Sequence, residues 1–228
     1  MKHEFVDKPD FGMVLITFEA AGESLTVESG AMVARDDAVE MTTKMKGGLL
    51  SAAKRKVLGG ESLFLNTFTA SAAGQRLYLA PSPEGDLEQM TLNDEEYILQ
   101  SGSFMAASPT LTLDTKWAGF KGFFSGEGLF FLKVFGSGEL FLNSYGGIHK
   151  IELDGVRPYT LDTSHIVAFT SGLDFNIRKI GNMKSLFFSG EGLVCEFQGK
   201  GTLWAQTRNP GALAGFLHRF RRVERNTN

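Results

Sequence analysis

Three glutamates stand in matching surroundings, and they are the acidic residues whose spacing could do chemistry. Each follows a glycine just ahead of a hydrophobic run, in the pairs Gly60-Glu61, Gly126-Glu127 and Gly190-Glu191. Two carboxylates that act on one substrate must lie within about 5–10 Å of each other. The glutamates are 66 and 64 positions apart in a repeating chain, so each is expected in a different unit. We therefore predict structural corners, where each carboxylate accepts backbone N–H groups at a glycine turn.

A basic run offers the second possible chemistry. Lys54, Arg55 and Lys56 lie in segment 47–60, which begins and ends with a pair of glycines. Their charges could bind phosphate, and the leucines around them could rest on a membrane surface, although about ten residues make a short anchor. The interpretation we favour is a short helix that closes one end of a unit or packs on a neighbouring subunit. These three residues are the candidate contact surface.

Other reactive side chains lack the spacing that catalysis requires. The four histidines share no metal-ligand spacing, and they are His3, His149, His165 and His218. The sequence contains no nucleophile elbow and no phosphate loop. The single Cys195 lies in a hydrophobic run, where we expect a buried apolar residue and not a nucleophile. We predict a protein that is not an enzyme, with no catalytic residue, no cofactor and no metal.

Composition and charge set the class of protein. The 228 residues include 43% hydrophobic residues and carry a formal net charge of −3, which is typical of a soluble globular protein and gives no global electrostatic case for nucleic acid. Phe and Gly are abundant, with 20 and 27 copies against 6 Pro, as in strands joined by glycine turns. The sequence has one cysteine, no signal core and no apolar run that could span a bilayer, so we expect a cytoplasmic protein.

The chain repeats itself. Residues 123–129 return almost letter for letter as residues 187–193, and residues 58–64 form a looser copy. A second landmark, Ser-Gly after a short hydrophobic run, recurs at Ser29-Gly30, Ser101-Gly102 and Ser171-Gly172. Each Gly-Glu pair precedes two hydrophobic runs that we interpret as a hairpin, with turns at residues 71–74, 136–138 and 199–201. We infer three tandem copies of one β unit.

The repeat predicts an all-β fold of three homologous modules. Module 1 covers residues 1–85 with the basic insertion 47–60, module 2 covers 86–150, module 3 covers 151–209, and 210–228 form a C-terminal helix and tail. The helix prediction rests on Asn209 as a cap, Pro210 in the first turn and an apolar stripe within residues 212–222.

Two long motifs resemble a known family. MKGGLLSA at residues 45–52 and LGGESLFLNTF at residues 58–68 are similar to the signature of the altered-inheritance-of-mitochondria family, and TRNP at 207–210 also fits. The resemblance covers nearly the whole chain. It implies a fold similar to the tryptophan RNA-binding attenuation protein, in which short double-stranded β-helix modules assemble into rings. It implies no catalytic residues, because the family has no agreed biochemical activity.

The resemblance and the open sheet edges expected of such modules predict a homo-oligomer that serves as a scaffold or binding protein. We expect a trimer whose nine modules close a ring. Two alternatives remain open. The ring could bind single-stranded RNA or another nucleic acid through Lys54, Arg55 and Lys56, against which stands the net charge of −3. A β-barrel-like module could instead bind a small molecule.

Overall fold

A computed structural model gives the fold. It describes residues 1–44, 65–81, 83–114, 131–179 and 193–221, which form 17 strands in three sheets and one α-helix near the C-terminus. The predicted all-β class with a C-terminal helix is confirmed. The short helix predicted in the insertion 47–60 lies outside the described residues and stays a prediction.

The described part of the first third of the chain holds seven strands. They are β1 Lys2–Val6, β2 Met13–Thr17, β3 Ser24–Glu28, β4 Met32–Arg35, β5 Glu40–Lys44, β6 Leu65–Thr69 and β7 Arg76–Leu79. β1 pairs with β2, β7 lies between β2 and β4, and β6 lies between β3 and β5, always antiparallel. β2 and β3 alternate between half-buried and buried positions, because successive side chains of a strand point to opposite faces.

In the middle third, two long strands each take part in two sets of pairings. The elements are β8 Leu87–Gln100, a 3-10 turn at Ser101–Ser103, β9 Phe104–Ala107, β10 Thr112–Asp114 and β11 Phe131–Asn143. β8 and β11 pair along their whole length, β10 pairs with the first half of β11, and β9 pairs with its second half. The register shifts between Gly136 and Ser137, opposite Asp94, whose φ is +62°. This bulge bends both strands at the same level.

The last third holds six strands and a helix among its described residues. They are β12 Ile148–Asp154, β13 Tyr159–Asp162, a 3-10 turn at Thr163–His165, β14 Ile166–Thr170, β15 Asp174–Lys179, β16 Leu193–Gln198, β17 Lys200–Gln206 and α1 Pro210–His218. β17 lies between β12 and β14, and β16 lies between β13 and β15. The Asn209 side chain accepts the N–H of Ala212 at 3.2 Å, so the predicted cap is confirmed.

The same arrangement of two antiparallel three-stranded groups occurs three times among these strands. The groups are β2-β7-β4 with β3-β6-β5, then β8-β11-β9 with β8-β11-β10, and then β12-β17-β14 with β13-β16-β15. In the second occurrence, the long strands β8 and β11 take part in both groups. We call each occurrence a pairing unit. The module bounds at residues 85, 150 and 209, and the origin of the units by duplication, stay predictions.

The hairpins expected after the Gly-Glu pairs are wrong. β6 and β7 lie in different sheets, and so do β16 and β17. Residues 136–138 bend β11 without ending it. Each glycine-rich turn is therefore a corner at which the chain changes its pairing partners. Gly74 and Gly199 have φ of +84° and +104°, a conformation that suits such a corner as well as a hairpin, so the sequence could not distinguish the two.

The third Ser-Gly landmark is also misassigned. Ser29-Gly30 joins β3 to β4 and Ser101-Gly102 joins β8 to β9, whereas Ser171-Gly172 follows β14 and leads into β15. The segment of the third unit that corresponds to the first two is the turn Thr163–His165, between β13 and β14. Both places are tight turns after a hydrophobic strand, where small polar residues and glycine are favoured, so they look alike in the sequence.

Three clusters of buried hydrophobic residues form the core, and each contains at least one fully buried phenylalanine ring. The fully buried rings are Phe18, Phe68 and Phe141 in the first cluster, Phe104 in the second, and Phe169 and Phe197 in the third. Each contributes about 1.5–3 kcal/mol by leaving water. Phe131 packs in the third cluster and its neighbour Leu132 in the second. This confirms, for the two described residues, that the apolar run at the start of β11 is covered on both faces.

Candidate functional site

The site residues predicted from the sequence all lie outside the described part of the chain. They are Lys54, Arg55 and Lys56, and the pairs Gly60-Glu61, Gly126-Glu127 and Gly190-Glu191. Their roles as contact surface and corners stay predictions. The described residues point to a different candidate site, which lies at the edges of the sheets.

Two strand pairs join successive pairing units, and we call them the interior junctions. In the first, β3 pairs with β9 through Val27↔Ala106 and Thr26↔Ala107, and in the second, β8 pairs with β14 through Leu99↔Ala168, Ile98↔Phe169 and Tyr97↔Thr170. Both are antiparallel. In each, a central alanine of one unit lies opposite an aliphatic residue of the preceding unit.

The interior junctions exclude water. Val27, Leu99, Ala106 and Ala168 are each 0% exposed. The backbone N–H and C=O groups at such an edge are satisfied by the neighbouring strand. The apolar side chains beside it are removed from water at about 25 cal/mol per Å² of buried surface. The junctions therefore hold the units together through continuous sheet.

Among the described strands that end a sheet, β4 and β13 each have a single neighbouring strand and carry exposed apolar side chains, and we call these two the open edges. β4 ends the order β1-β2-β7-β4, and β13 ends the order β13-β16-β15. All four residues of β4 are exposed, with Met32 at 40% and Val33 at 57%, and Tyr159 in β13 is 37% exposed. Apolar side chains along an edge with free backbone groups are typical of a site that receives another strand.

Sequence reasoning expected open edges but did not identify these strands. The signal was present in the residues after the first two Ser-Gly landmarks, because Ala-Met-Val-Ala at 31–34 matches Ser-Phe-Met-Ala at 103–106 in apolar character. The second of these runs is buried in an interior junction and the first is largely exposed. Local pattern alone could not show that difference.

Charged groups hold the end of β4 in place. Arg35 Nη1 donates to the carbonyl oxygen of Asp37 at 2.7 Å. The Asp36 carboxylate accepts the backbone N–H of Arg76 at 2.8 Å and pairs with its guanidinium at 3.3 Å. The hydrogen bonds from Arg76 lower the pKa of Asp36, and this carboxylate in turn raises the pKa of Arg76. The turn after β4 is thus fixed by its own unit.

The end of β13 is fixed in a comparable way. Asp162 accepts the N–H of Ser164 at 2.8 Å and so caps the following 3-10 turn. Gln100 does the same for Gly102 at 2.7 Å at the end of β8. Thr163 Oγ1 also donates to the carbonyl oxygen of Leu193 at 3.1 Å. Both open edges are therefore anchored by contacts within their own units.

A further exposed apolar surface runs along α1. The predicted stripe consists of Leu213, Phe216, Leu217 and Phe220, which are 37%, 56%, 54% and 70% exposed. The rings of Phe216 and Phe220 contact each other at 5.2 Å between centroids, and no residue of α1 is buried. The apolar stripe is confirmed for Leu213, Phe216 and Leu217, whereas Phe220 lies beyond the end of α1 at His218. The sequence did not indicate that the stripe is exposed.

Two described side chains that could be reactive, Cys195 and His165, are buried or bonded to the backbone. Cys195 is fully buried in β16, as predicted, and burial raises the pKa of its thiol to about 12, so little thiolate forms at neutral pH. His165 Nδ1 lies 2.7 Å from the carbonyl oxygen of Gln206 and donates to it. Within the described ranges, no three His, Cys, Asp or Glu side chains come together as a metal site requires.

An open groove of about 550 Å³ lies over the paired strands β12 and β17. It is lined by Glu152, Leu153, Asp154, Lys200, Gly201 and Thr202. Thr202 Oγ1 donates to Glu152 at 2.8 Å, and Lys150 pairs with Glu152 at 2.8 Å. The Thr202–Glu152 bond crosses the strand pair, whereas Lys150 reaches Glu152 along the same strand.

Comparison with known proteins gives matches over most of the chain. The model of the family described as mitochondrial biogenesis AIM24 matches residues 3–208. An uncharacterised protein of Streptococcus pyogenes serotype M6 is 33% identical over 219 residues, which are 92% of this chain and 87% of that protein. A crystal structure of a Streptococcus pyogenes protein, 31% identical, matches with a TM-score of 0.77 over 96% of this chain and 100% of that chain. The similarity thus extends over all three pairing units.

No helix in the described part of the chain is long and apolar enough to cross a membrane.

Proposed function

The chain belongs to the mitochondrial biogenesis AIM24 family, and from that premise we propose that it is a non-enzymatic homo-oligomeric scaffold or binding protein. Its curated Streptococcus pyogenes relative is uncharacterised, so the proposal depends on the molecule itself. The observation that carries it is the exposed apolar side chains on both open edges, β4 and β13.

The open edges support assembly because natural proteins protect sheet edges that stay in water. Protection is usually by lysines, prolines, bulges or a covering element. The edge of β4 presents Met32, Val33 and Ala34, with Arg35 as its single charge. Covering these residues with another chain removes apolar surface from water and satisfies backbone groups in one step.

Molar mass in solution tests the proposal. We expect light scattering to give a multiple of the 24.9 kDa chain, and for the expected trimer three times 24.9 kDa, or about 75 kDa. The mass should fall on dilution only when the interface dissociates. A stable 24.9 kDa species at micromolar concentration contradicts the proposal.

Single-stranded nucleic-acid binding is a second candidate function, and the basic run Lys54, Arg55 and Lys56 favours it. If all three contact phosphate, replacing them by alanine should weaken RNA binding and reduce the slope of log K against log salt by about 2, since each contact contributes about 0.7 for a single strand. Replacing Arg219 and Arg221 by alanine is the matched control. Binding that is absent or insensitive to salt removes this function.

Small-molecule binding is a third candidate, favoured by the groove over β12 and β17, whose volume of about 550 Å³ lies within the usual range of ligand sites. A compound that binds there should raise the melting temperature of the wild-type protein and fail to do so for Thr202→Trp, which places an indole in the groove. A library that gives no such shift contradicts this function.

A further inference from the structure

We infer that one copy of this chain binds the next by pairing its β13 with β4 of that copy, antiparallel and in the register of the interior junctions. The inference rests on the proposed homo-oligomer and names the strands that build it. Its occupant for both open edges is a second copy of this chain. The two interior junctions supply the argument, because they show what covers the same edges elsewhere in the molecule.

β13 holds the place in its unit that β3 and the second half of β8 hold in theirs. In the three units, Leu25 lies opposite Phe68, Tyr97 opposite Val134, and Tyr159 opposite Phe197. Two residues further along each strand stands an aliphatic side chain, which is Val27, Leu99 or Leu161. Leu161 is therefore the counterpart of the two aliphatic residues in the interior junctions.

β4 holds the place of β9 and β14. Each of these strands pairs with the closing strand of its unit, and the register shifts just before a central alanine, which is Ala34, Ala106 or Ala168. A turn closed by one backbone hydrogen bond follows, from Val39 to Asp36, from Leu111 to Ser108 and from Leu173 to Thr170. Ala34 and Asp36 are therefore the counterparts of Ala168 and Thr170.

These equivalences fix the register of the third junction. Ala168 lies opposite Leu99 and Thr170 opposite Tyr97. The corresponding pairs between two copies are Ala34 with Leu161, Arg35 with Thr160 and Asp36 with Tyr159. The first interior junction gives the same assignment, because Ala106 lies opposite Val27.

A hydrogen bond beyond the paired residues extends the match. In the second interior junction the N–H of Ser171 donates to the carbonyl oxygen of Glu96 at 3.2 Å. Their counterparts between copies are the N–H of Asp37 and the carbonyl oxygen of Pro158. Proline lacks an N–H, and this pairing requires its carbonyl alone.

The first three side chains of β4 are apolar like those of β9 and β14, which a neighbouring strand covers. The counterparts of Met32 are Phe104 and Ile166, which are 0% and 1% exposed, and the counterparts of Val33 are Met105 and Val167, both 0% exposed. β4 keeps apolar residues at both positions and exposes them by 40% and 57%. A second copy seated on this edge would bury both side chains as the interior junctions bury theirs.

The pairing joins different copies head to tail. β4 and β13 of one chain end different sheets, so they do not pair with each other in the described chain. Because the contact uses two different strands, it is heterologous, and repetition of a heterologous contact gives a closed ring or an open filament. A ring leaves no open edge of this kind, and in the trimer it would contain nine pairing units.

Disulfide trapping between variants that each carry one introduced cysteine tests this pairing. Ala34→Cys and Leu161→Cys place thiols on directly opposed positions, where Cβ atoms of an antiparallel pair lie about 4.5–5.5 Å apart. The native Cys195 is fully buried and does not compete. We expect oxidation of the mixed variants to give a disulfide-linked pair of chains, while each variant alone gives none. The double variant should give a ladder that ends at the full ring.

Different outcomes of this experiment test the register of the strands, the identity of the interface and the existence of the oligomer. Thr160→Cys mixed with Ala34→Cys is the matched control, because adjacent residues of a strand point to opposite faces, and it should link at least 10-fold less. Linking by Ala34→Cys alone indicates a symmetric β4–β4 contact and overturns the inference. An oligomer without mixed linking overturns the inference and leaves the proposed function standing. A monomer overturns both.

Discussion

β14 and β4 occupy the same place in their pairing units, yet one is buried and the other is exposed. β14 reads Ile-Val-Ala-Phe-Thr, its first four residues are buried, and its last three pair with β8. β4 reads Met-Val-Ala-Arg and all four residues are exposed. The two strands share apolar character at three successive positions, so composition does not account for the difference. What differs is the neighbour beyond the edge.

Under the proposed pairing, the exposure of β4 is a property of the isolated chain and disappears on assembly. A strand adapted to stay in water would carry charge at its outward positions, whereas Arg35 is the single charged residue of β4 and its side chain turns back to bind the following loop. The interior junctions thus describe the environment for which β4 is suited. Substitutions at matched positions of the two strands test this view.

Among substitutions at matched positions, a charge in place of the central alanine should give the largest difference in effect between β14 and β4. Ala168→Asp places a carboxylate at a position that is 0% exposed with no partner, which should cost on the order of 3–5 kcal/mol of unfolding free energy. Ala34→Asp should leave the fold of a single chain intact and abolish assembly. Urea unfolding followed by circular dichroism, with light scattering on each variant, measures both. Equal loss of stability in the two variants would break the comparison.

Truncation of the facing aliphatic residue should have the next largest effect. Leu99→Ala removes a fully buried side chain from an interior junction and should cost about 2–5 kcal/mol. Its counterpart Leu161 is half-buried, so Leu161→Ala should cost clearly less when the protein is dilute and dissociated. At high concentration the costs should converge, because assembly buries Leu161 as well. Concentration-independent stability of Leu161→Ala would contradict this.

The parts of the fold that the sequence predicted are those set by local pattern. The cap at Asn209, the burial of Cys195 and the two covered faces at Phe131 and Leu132 follow from residue type and period alone. From the sequence, the corners after β6 and β16 are predicted as hairpins and Ser171-Gly172 is matched to the wrong turn, and the structure corrects both. Both errors concern which distant strand a segment joins, and glycine geometry does not encode that.

The candidate site was predictable only in general terms. Open edges are expected of small β units, but the identity of the edge strands depends on the order in which units join. Only the pairs β3–β9 and β8–β14 reveal that order. Once it is known, β4 and β13 follow as the strands whose junction partner is missing from the described chain, and they carry Met32, Val33 and Tyr159. The basic run at 54–56 falls outside the described residues and stays a prediction.

A single positive charge on the open edge should weaken assembly and leave the chain folded. Val33 is 57% exposed, so Val33→Lys should change the stability of the dissociated chain by no more than about 0.5 kcal/mol. It should raise the dissociation constant of the oligomer at least 10-fold, because lysine on an edge opposes strand addition. Val156→Lys is the matched control, since Val156 is 77% exposed and lies on neither open edge. Sedimentation over a range of concentrations measures the constant, and equal effects of the two variants would contradict the assignment.

The smallest expected effect concerns the ion pair at the end of β4. Hydrogen bonds from Arg76 lower the pKa of Asp36 in the folded chain, so the unfolded chain binds the proton more tightly. The stabilisation is therefore present above the unfolded pKa of about 3.9 and is lost as pH falls through the lower folded value. Asp36→Asn should melt slightly below the wild-type protein at neutral pH, and the two should converge in acid. Because both side chains are exposed, the difference should also shrink in high salt. A melting-temperature gap that widened as the pH fell would show that Asp36 acts on β4 by some means other than its charge.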